Sequence, residues 1–273
     1  MPHFNEKGVL IPASSPSGLP ISRTKIASDK PRSWLPAIAG ACVVVSVLLT
    51  GALVLWISWP SIQSNIRRVA QARDLENLQL IAKALNAYSD RYGTYPPPAV
   101  TDAAGKKLYS WRVLILPFMG HEDVYASFEL AQPWDSPANI SMLSKMPTEF
   151  ASTNSPDALA TYEANYALIT GPGTLFPPTG PLSPKNIDAQ TLLLVETNNS
   201  IAWTTPGDID ISRGLKVGNK SMVEIGGLHS GSFTAVTTKL DSLRIPAEVS
   251  QMLLDALVSP NGGEKVDTSA FRE

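Results

Sequence analysis

The chain has 273 residues, a net charge of −2 and 44% hydrophobic residues, which is enough material for a sizeable core. The near-neutral balance gives no electrostatic footprint for nucleic acid. The single cysteine, Cys42, excludes an intrachain disulfide, so an exported domain must hold together by its core alone.

Residues 1–33 are rich in Ser and Pro and carry no periodic apolar pattern, which predicts a flexible tail. Five basic and two acidic side chains make residues 1–34 net +3. From Ser33 to Ile66 there is then no Asp, Glu, Lys or Arg. Within that stretch, residues 34–59 predict a transmembrane helix, because ~20 apolar residues rising ~1.5 Å each cross the ~30 Å hydrocarbon core. Pro36 suits the first helical turn. Trp34 before the apolar run, and Trp56 and Trp59 at its end, suit the two interfaces. The run is too long for a cleavable signal peptide, and no small-x-small site follows it before Arg67, so an uncleaved signal anchor is expected. Arg23, Lys25, Lys30 and Arg32 before the span, against Arg67, Arg68 and Arg73 after it, place the tail in the cytoplasm.

Beyond Pro60 the helix resumes, with Leu78, Ile81, Leu85, Tyr88 and Tyr92 stepping by three and four. This stripe needs an apolar cover. Arg67, Arg68 and Arg73 interrupt any coiled-coil seam, so packing on the chain's own downstream domain is expected. Asp74 is read as lying off the stripe. Gly93 and Pro96 to Pro98 stop the helix at about Tyr92.

From Gly93 to Pro184 the chain carries 13 prolines and breaks into short pieces. Ser110 to Phe128 predicts two short helices, and Pro133 to Asn139 a compact turn. Thr161 to Thr170 predicts a strand, and Thr191 to Val195 a strand buried on both faces. Residues 171–184 form a long loop of the kind that is functional or mobile. Met222 to Ile225 and Ser232 to Thr238 predict further strands, and Pro246 to Val258 an amphipathic helix with Pro at its first turn.

Catalytic and phosphate-binding motifs are missing: no Gly-rich phosphate loop, GxSxG, HExxH or CxxC. No metal site and no cofactor are expected. His121 beside Glu122 and Asp123 reads as a solvated helix start. Asp208 and Asp210 lack the later carboxylate that closes a calcium loop. Four residues remain as candidate ligand-binding positions: Trp134 and Trp203, whose rings can stack on a sugar; Asp208; and Glu196, which follows the buried strand. An enzyme would require Glu196, Asp208 and His229 to converge in one cleft.

Several segments occur in an order that resembles a known family: Asn77 to Pro97 (NLQLIAKALNAYSDRYGTYPP), Ser110 to Phe118 (SWRVLILPF), Pro133 to Asn139 (PWDSPAN), Leu192 to Ile209 (LLLVETNNSIAWTTPGDI), His229 to Phe233 (HSGSF) and Asn261 to Glu264 (NGGE). Together they look like the pilin-like domain of unknown function abundant in planctomycete bacteria. The resemblance implies an α+β fold of type IV pilin-like layout: a single transmembrane helix continuing into a long amphipathic helix packed on a small antiparallel sheet. It also implies that the domain lies outside the cytoplasmic membrane, and it supplies no catalytic residues. Two features depart from the family. The helix start SWLPAIAGAC has neither an acid nor a prepilin junction, so prepilin processing is not expected. The family's His, nine residues, then Asp-Gly is also not matched. Counting from His229 reaches Lys239 and Leu240, and a turn needing positive φ would be strained there, so the hairpin is expected to be remodelled.

The expected organisation is therefore a cytoplasmic tail over 1–33, a membrane span over 34–59, a spine helix over 60–92 and an extracytoplasmic α+β domain over 93–273. The expected role is that of a non-enzymatic, pseudopilin-like structural or protein-interaction protein of the cell envelope. It would contact the lipid bilayer through 34–59 and partner other envelope or secretion-system proteins. The alternative is an envelope binding module for a glycan or small ligand.

Overall fold

The structure is a computed structural model and describes residues 34–155, 157–185, 187, 191–214, 225–226, 228–229, 231–261 and 266–272. The expected tail, Met222 to Glu224 of the predicted strand, and Gly262 to Glu264 of the late NGGE lie outside the described residues. The chain divides into two compact units, Met1–Trp59 and Pro60–Glu273.

Helix α1 (Leu35–Tyr92) supplies the described part of the first unit. Its apolar stretch is long and hydrophobic enough to cross a membrane. The large side chains there, Val47, Leu48, Leu55 and Trp56 among them, are exposed. Two of its hydroxyls are returned to the backbone: Ser46 Oγ donates to the Cys42 carbonyl at 2.7 Å and Thr50 Oγ1 to that of Ser46 at 2.9 Å. Hydroxyls satisfied this way do not oppose an apolar surrounding.

In the second unit, α1 from Pro60 onward is the spine of a mixed helix and sheet domain. A four-stranded antiparallel sheet has the order β3 (Glu163–Ala167), β5 (Leu192–Ala202), β7 (Ser232–Thr237), β8 (Ser242–Pro246). Two small sheets flank it: β1 (Ala99–Thr101) with β2 (Lys107–Ser110), antiparallel, and β4 (Ile169–Thr170) with β6 (Ile209–Asp210), parallel. The prolines confine the rest to short helices: α2 (Trp111–Leu114), α3 (Glu122–Ala126), α4 (Ala158–Thr161) and single 3-10 turns such as Leu116–Phe118. The Ser110 hydroxyl caps α2 by accepting from Arg112 N.

The expected stripe packs within the chain. Leu78, Ile81 and Leu85 are fully buried with Tyr166, Leu194, Val236 and the rings of Trp111 and Trp203. Each such aliphatic side chain contributes roughly 1.5–3 kcal/mol by burial. A second core covers the opposite face of the sheet, where Phe233, Ala235, Leu243 and Ile245 meet Leu254 and Leu257 of α5 (Gln251–Val258). Strand β5 serves both cores, since Leu193 and Leu194 join the first and Leu192 and Val195 the second. Its apolar run is thus buried on both faces, as expected, with an irregularity between Leu192 and Leu194 in its pairing with β7.

Four expectations are corrected. The predicted strand Thr161 to Thr170 is split, with β3 in the main sheet and β4 paired to β6. Helix α5 starts at Gln251 rather than Pro246, because Pro246 still pairs with Ser232 in β8 and the Ser250 hydroxyl accepts from Leu253 N as the cap. Asp74 lies on the buried face of α1, four residues before Leu78. The β7–β8 hairpin keeps its left-handed position, with Leu240 occupying it at φ 68°.

Candidate functional site

Two buried polar clusters stand out in the second unit. The first joins α1, β5 and the approach to β7. Asp74 is turned inward by its place on the apolar face of α1. Glu196 follows the buried run of β5, and His229 precedes β7, bridged to Ser232. His229 Nε2 faces both carboxylates, 3.3 Å from Asp74 Oδ2 and 3.1 Å from Glu196 Oε2. Asp74 accepts further bonds from Thr153 N at 2.8 Å, Ser152 Oγ at 3.0 Å, Asn154 Nδ2 at 3.1 Å and Tyr166 OH at 3.2 Å. Glu196 Oε2 accepts from the Thr234 hydroxyl and amide.

Burial disfavours charge on this imidazole, but the hydrogen bonds and charges of Asp74 and Glu196 outweigh it and push His229 up to about 9. Asn154 Nδ2, 3.1 Å from Nδ1, works against a second ring proton. The balance still favours imidazolium, since a neutral ring would leave two buried carboxylates without a cation. Burial raises the pKa of Asp74, yet its bonds from His229, Thr153 and Ser152 hold it below the usual carboxylate value. The cluster is an ionic clasp between helix and sheet. Among the described residues, no group of three His, Cys, Asp or Glu side chains is arranged to hold a metal ion.

The second cluster is built on α2 and the turn before β6. The Arg112 and Asp208 side chains are 1% and 2% exposed, with Nη2 and Oδ1 3.6 Å apart. Arg112 Nη1 donates to Ser110 Oγ at 2.9 Å and Nη2 to the Tyr166 carbonyl at 2.6 Å. Asp208 Oδ1 accepts from Trp111 Nε1 at 3.0 Å and Leu168 N at 2.9 Å. Burial pushes Asp208 up to about 6 and draws Arg112 down, while the mutual charge of the pair opposes both shifts. Both side chains line a cavity of about 160 Å³. Gly207 and Asp208 also border a second cleft, of about 550 Å³, walled by Pro97, Pro98, Pro177 and Pro178.

The residues expected from sequence are distributed over these features. Glu196 belongs to the clasp and Asp208 to the cavity, so Glu196, Asp208 and His229 do not share one cleft. Asp74, not Asp208, is the second carboxylate beside His229. Trp203 is fully buried, stacked on Phe150 with ring centroids 6.0 Å apart, and its Nε1 donates to the Leu143 carbonyl at 3.1 Å. Its ring therefore presents no face to a sugar. Trp134 is half-buried against the first core, its amide donating to the Leu108 carbonyl at 2.7 Å. Asp210 caps a 3-10 turn by accepting from Ser212 N, a different task from that of Asp208. From the 171–184 loop, Gly171, Phe176, Pro177, Pro178, Gly180 and Pro181 line the larger cleft. Sequence reasoning missed Arg112 and Asp74. The signal for Arg112 was a lone cation inside the apolar run SWRVLILPF. The signal for Asp74 was its spacing of four and seven residues from Leu78 and Ile81.

No curated protein and no solved structure matches the chain. Residues 72–208, half of the chain, match the family described as a protein of unknown function, DUF1559. That match begins just before Asp74 and ends on Asp208, taking in the last part of the spine helix together with Arg112 and Asp208, and it places the chain in the DUF1559 family.

Proposed function

We propose that this protein is a single-pass membrane protein whose extracytoplasmic, pilin-like domain makes structural or protein–protein contacts in the cell envelope. The observation that carries this reading is the uncharged stretch from Ser33 to Ile66, whose helix exposes Val47, Leu48, Leu55 and Trp56. Water would penalise such a surface by ~25 cal/mol per Å² of apolar area, whereas lipid accepts it. Trp34 and Trp59 are 70% and 59% exposed at opposite ends of the 34–59 segment, as interfacial anchors require. The four basic residues ahead of the span, against three after it, favour a cytoplasmic tail and an outer domain. The packing of the stripe onto the domain's own sheet favours the pilin-like layout over a coiled coil with another chain. The helix start lacks an acid, which favours a permanent anchor over a subunit released into a filament.

The test is protease treatment of cells whose cytoplasmic membrane is sealed, with tags at both ends of the full chain, together with alkaline extraction of the membranes. The expected result is loss of the C-terminal tag, survival of the N-terminal tag and retention of the chain in the membrane pellet. Protection of the C-terminal tag until the cytoplasmic membrane is breached would overturn the orientation. Release of the chain by alkali would overturn the anchor.

A further inference from the structure

The seam between α1 and the sheet has two chemically different halves. Ile62, Ile66 and Val69 are exposed. Among the described residues, the earliest hydrogen bond from α1 to the rest of the domain is at Ala70, whose carbonyl accepts from Thr153 Oγ1 at 2.9 Å. Over the next two turns the seam is polar. Gln71 Oε1 accepts from Arg244 Nη1 at 3.0 Å, Asp74 takes the bonds already described, and Asn77 Nδ2 donates to the Ala151 carbonyl at 3.3 Å. From Leu78 onward the seam is apolar at its centre, with Leu78, Ile81, Ala82 and Leu85 fully buried. The sheet is graded in the same way. Tyr166 and Glu196 are cross-strand partners, as are Thr234 and Arg244, and the Thr234 hydroxyl donates to Glu196, so a polar row crosses all four strands. Two residues along β5 and β7, Leu194 and Val236 are partners in the first core. Polar helix thus meets polar sheet, and apolar helix meets apolar sheet.

The two halves come apart differently. Aliphatic burial is non-directional and favourable over the whole area of contact. Buried ions regain little more than the cost of leaving water, and their hydrogen bonds are lost over a few tenths of an ångström. The polar bonds also share a member. Asp74 alone joins the helix to Ser152, Thr153, Asn154, Tyr166 and His229, so these contacts are made or broken together. We propose that residues 70–77 of α1 are a latch, which leaves the sheet as one unit while Leu78 to Leu85 stay docked. Opening joins the latch to the exposed stretch before it and frees ~12 Å of helix, eight residues at ~1.5 Å each. In a chain anchored through residues 34–59, the freed turns become slack between anchor and core at no cost in core packing. That consequence rests on the membrane reading; the latch itself rests on the seam alone.

The experiment is hydrogen–deuterium exchange of the full chain in detergent micelles, read by mass spectrometry over residues 71–77, 80–88 and 151–155. The last segment contains Thr153, whose amide donates to Asp74 Oδ1 across the seam, so it reports the latch from outside the helix. In the unmodified chain, 71–77 is expected to exchange about tenfold or more faster than 80–88, after correction for intrinsic rates. His229→Gln is expected to speed exchange in 71–77 and 151–155 together by about tenfold or more, and to leave 80–88 within about twofold. Gln71→Ala leaves the three clasp side chains in place and serves if His229→Gln fails to fold. It is expected to give the same pattern at about threefold. Equal exchange of 71–77 and 80–88 in the unmodified chain overturns the proposal. So do variants that leave 151–155 unchanged, or that speed 80–88 as much as 71–77.

Discussion

Asp74 Oδ2 on the spine helix lies 3.3 Å from His229 Nε2 at the entry to strand β7, and Glu196 Oε2 lies 3.1 Å from the same nitrogen. One imidazole thus ties the helix to the sheet through two buried carboxylates. His229 is raised to about 9 from an ordinary value near 6.5. Its contribution to stability is therefore complete below pH ~6.5 and is lost as pH rises towards 9. Asp74 is lowered, so its contribution is present above pH ~3.8 and is lost as pH falls through its folded-state value. The clasp is fully engaged between those limits. The Tm of the unmodified domain should fall on raising the pH from 6.5 to 9, by on the order of 2 kcal/mol or ~4–8 °C. In His229→Gln most of that alkaline decline should vanish. Parallel declines in the two proteins would show that His229 is not the titrating group.

A second lock is the Asn139 side chain, which is fully buried in the turn that follows Phe128. Its Oδ1 accepts from Glu129 N at 2.8 Å, and its Nδ2 reaches the carbonyls of Glu129, Gln132 and Pro133 at 3.0–3.1 Å. Asn139→Asp keeps the shape but turns a carboxylate oxygen towards three carbonyl oxygens. The expected cost is about 3 kcal/mol, or ~6–12 °C in Tm. Asn139→Ala, which adds no charge, should cost less. An aspartate variant as stable as the parent would mean that the side chain does not hold this turn.

What could be read from the sequence follows from which signals are local. Periodicity revealed the spine helix, because Leu78, Ile81 and Leu85 repeat at the helical step. Composition revealed β5 as doubly buried, because Leu192 to Val195 is a continuous apolar run. Chemistry that depends on chain crossings was hidden. Asp74 reads as a surface acid until β5 and the His229 segment are brought against it. Arg112 is only a lone cation in an apolar run until Asp208 arrives from the turn before β6. Residue type alone leaves Trp203 open to sugar stacking or to packing, and only the arrival of Phe150 and the Leu143 carbonyl around the ring decides for packing.

Gly226 sits at φ 77°, and a Cβ there would stand 2.8 Å from Phe233 Cβ. The backbone cannot move aside easily, because Gly226 N donates to the Glu196 carbonyl at 2.8 Å and its own carbonyl accepts from Asn198 N at 3.0 Å. Gly226→Ala therefore combines a left-handed penalty with a clash and should cost about 3 kcal/mol or more. Gly231 has a similar φ of 76° with nothing within 4 Å of its Cβ position. Gly231→Ala should cost only the conformational part, ~1–2 kcal/mol. Thermal unfolding of the two variants side by side separates contact from conformation. Equal losses would show that the approach of Phe233 is not limiting.

The last test concerns Leu240, which holds a left-handed backbone at φ 68° in the β7–β8 hairpin. The turn is tightly bonded. Leu240 N donates to the Thr237 carbonyl at 2.9 Å, Thr237 N donates to that of Asp241 at 3.0 Å, and Thr237 Oγ1 accepts from Asp241 N at 3.1 Å. A non-glycine residue there costs roughly 1–2 kcal/mol, and the half-buried Leu240 side chain recovers part of it by packing on the first core. Leu240→Ala removes the packing and keeps the strain, whereas Leu240→Gly removes both. The glycine variant should therefore be more stable than the alanine variant by about 1 kcal/mol, or ~2–4 °C in Tm, reversing the usual advantage of alanine over glycine. If alanine proves as stable as glycine, the strain is not present and the turn has taken another shape in solution.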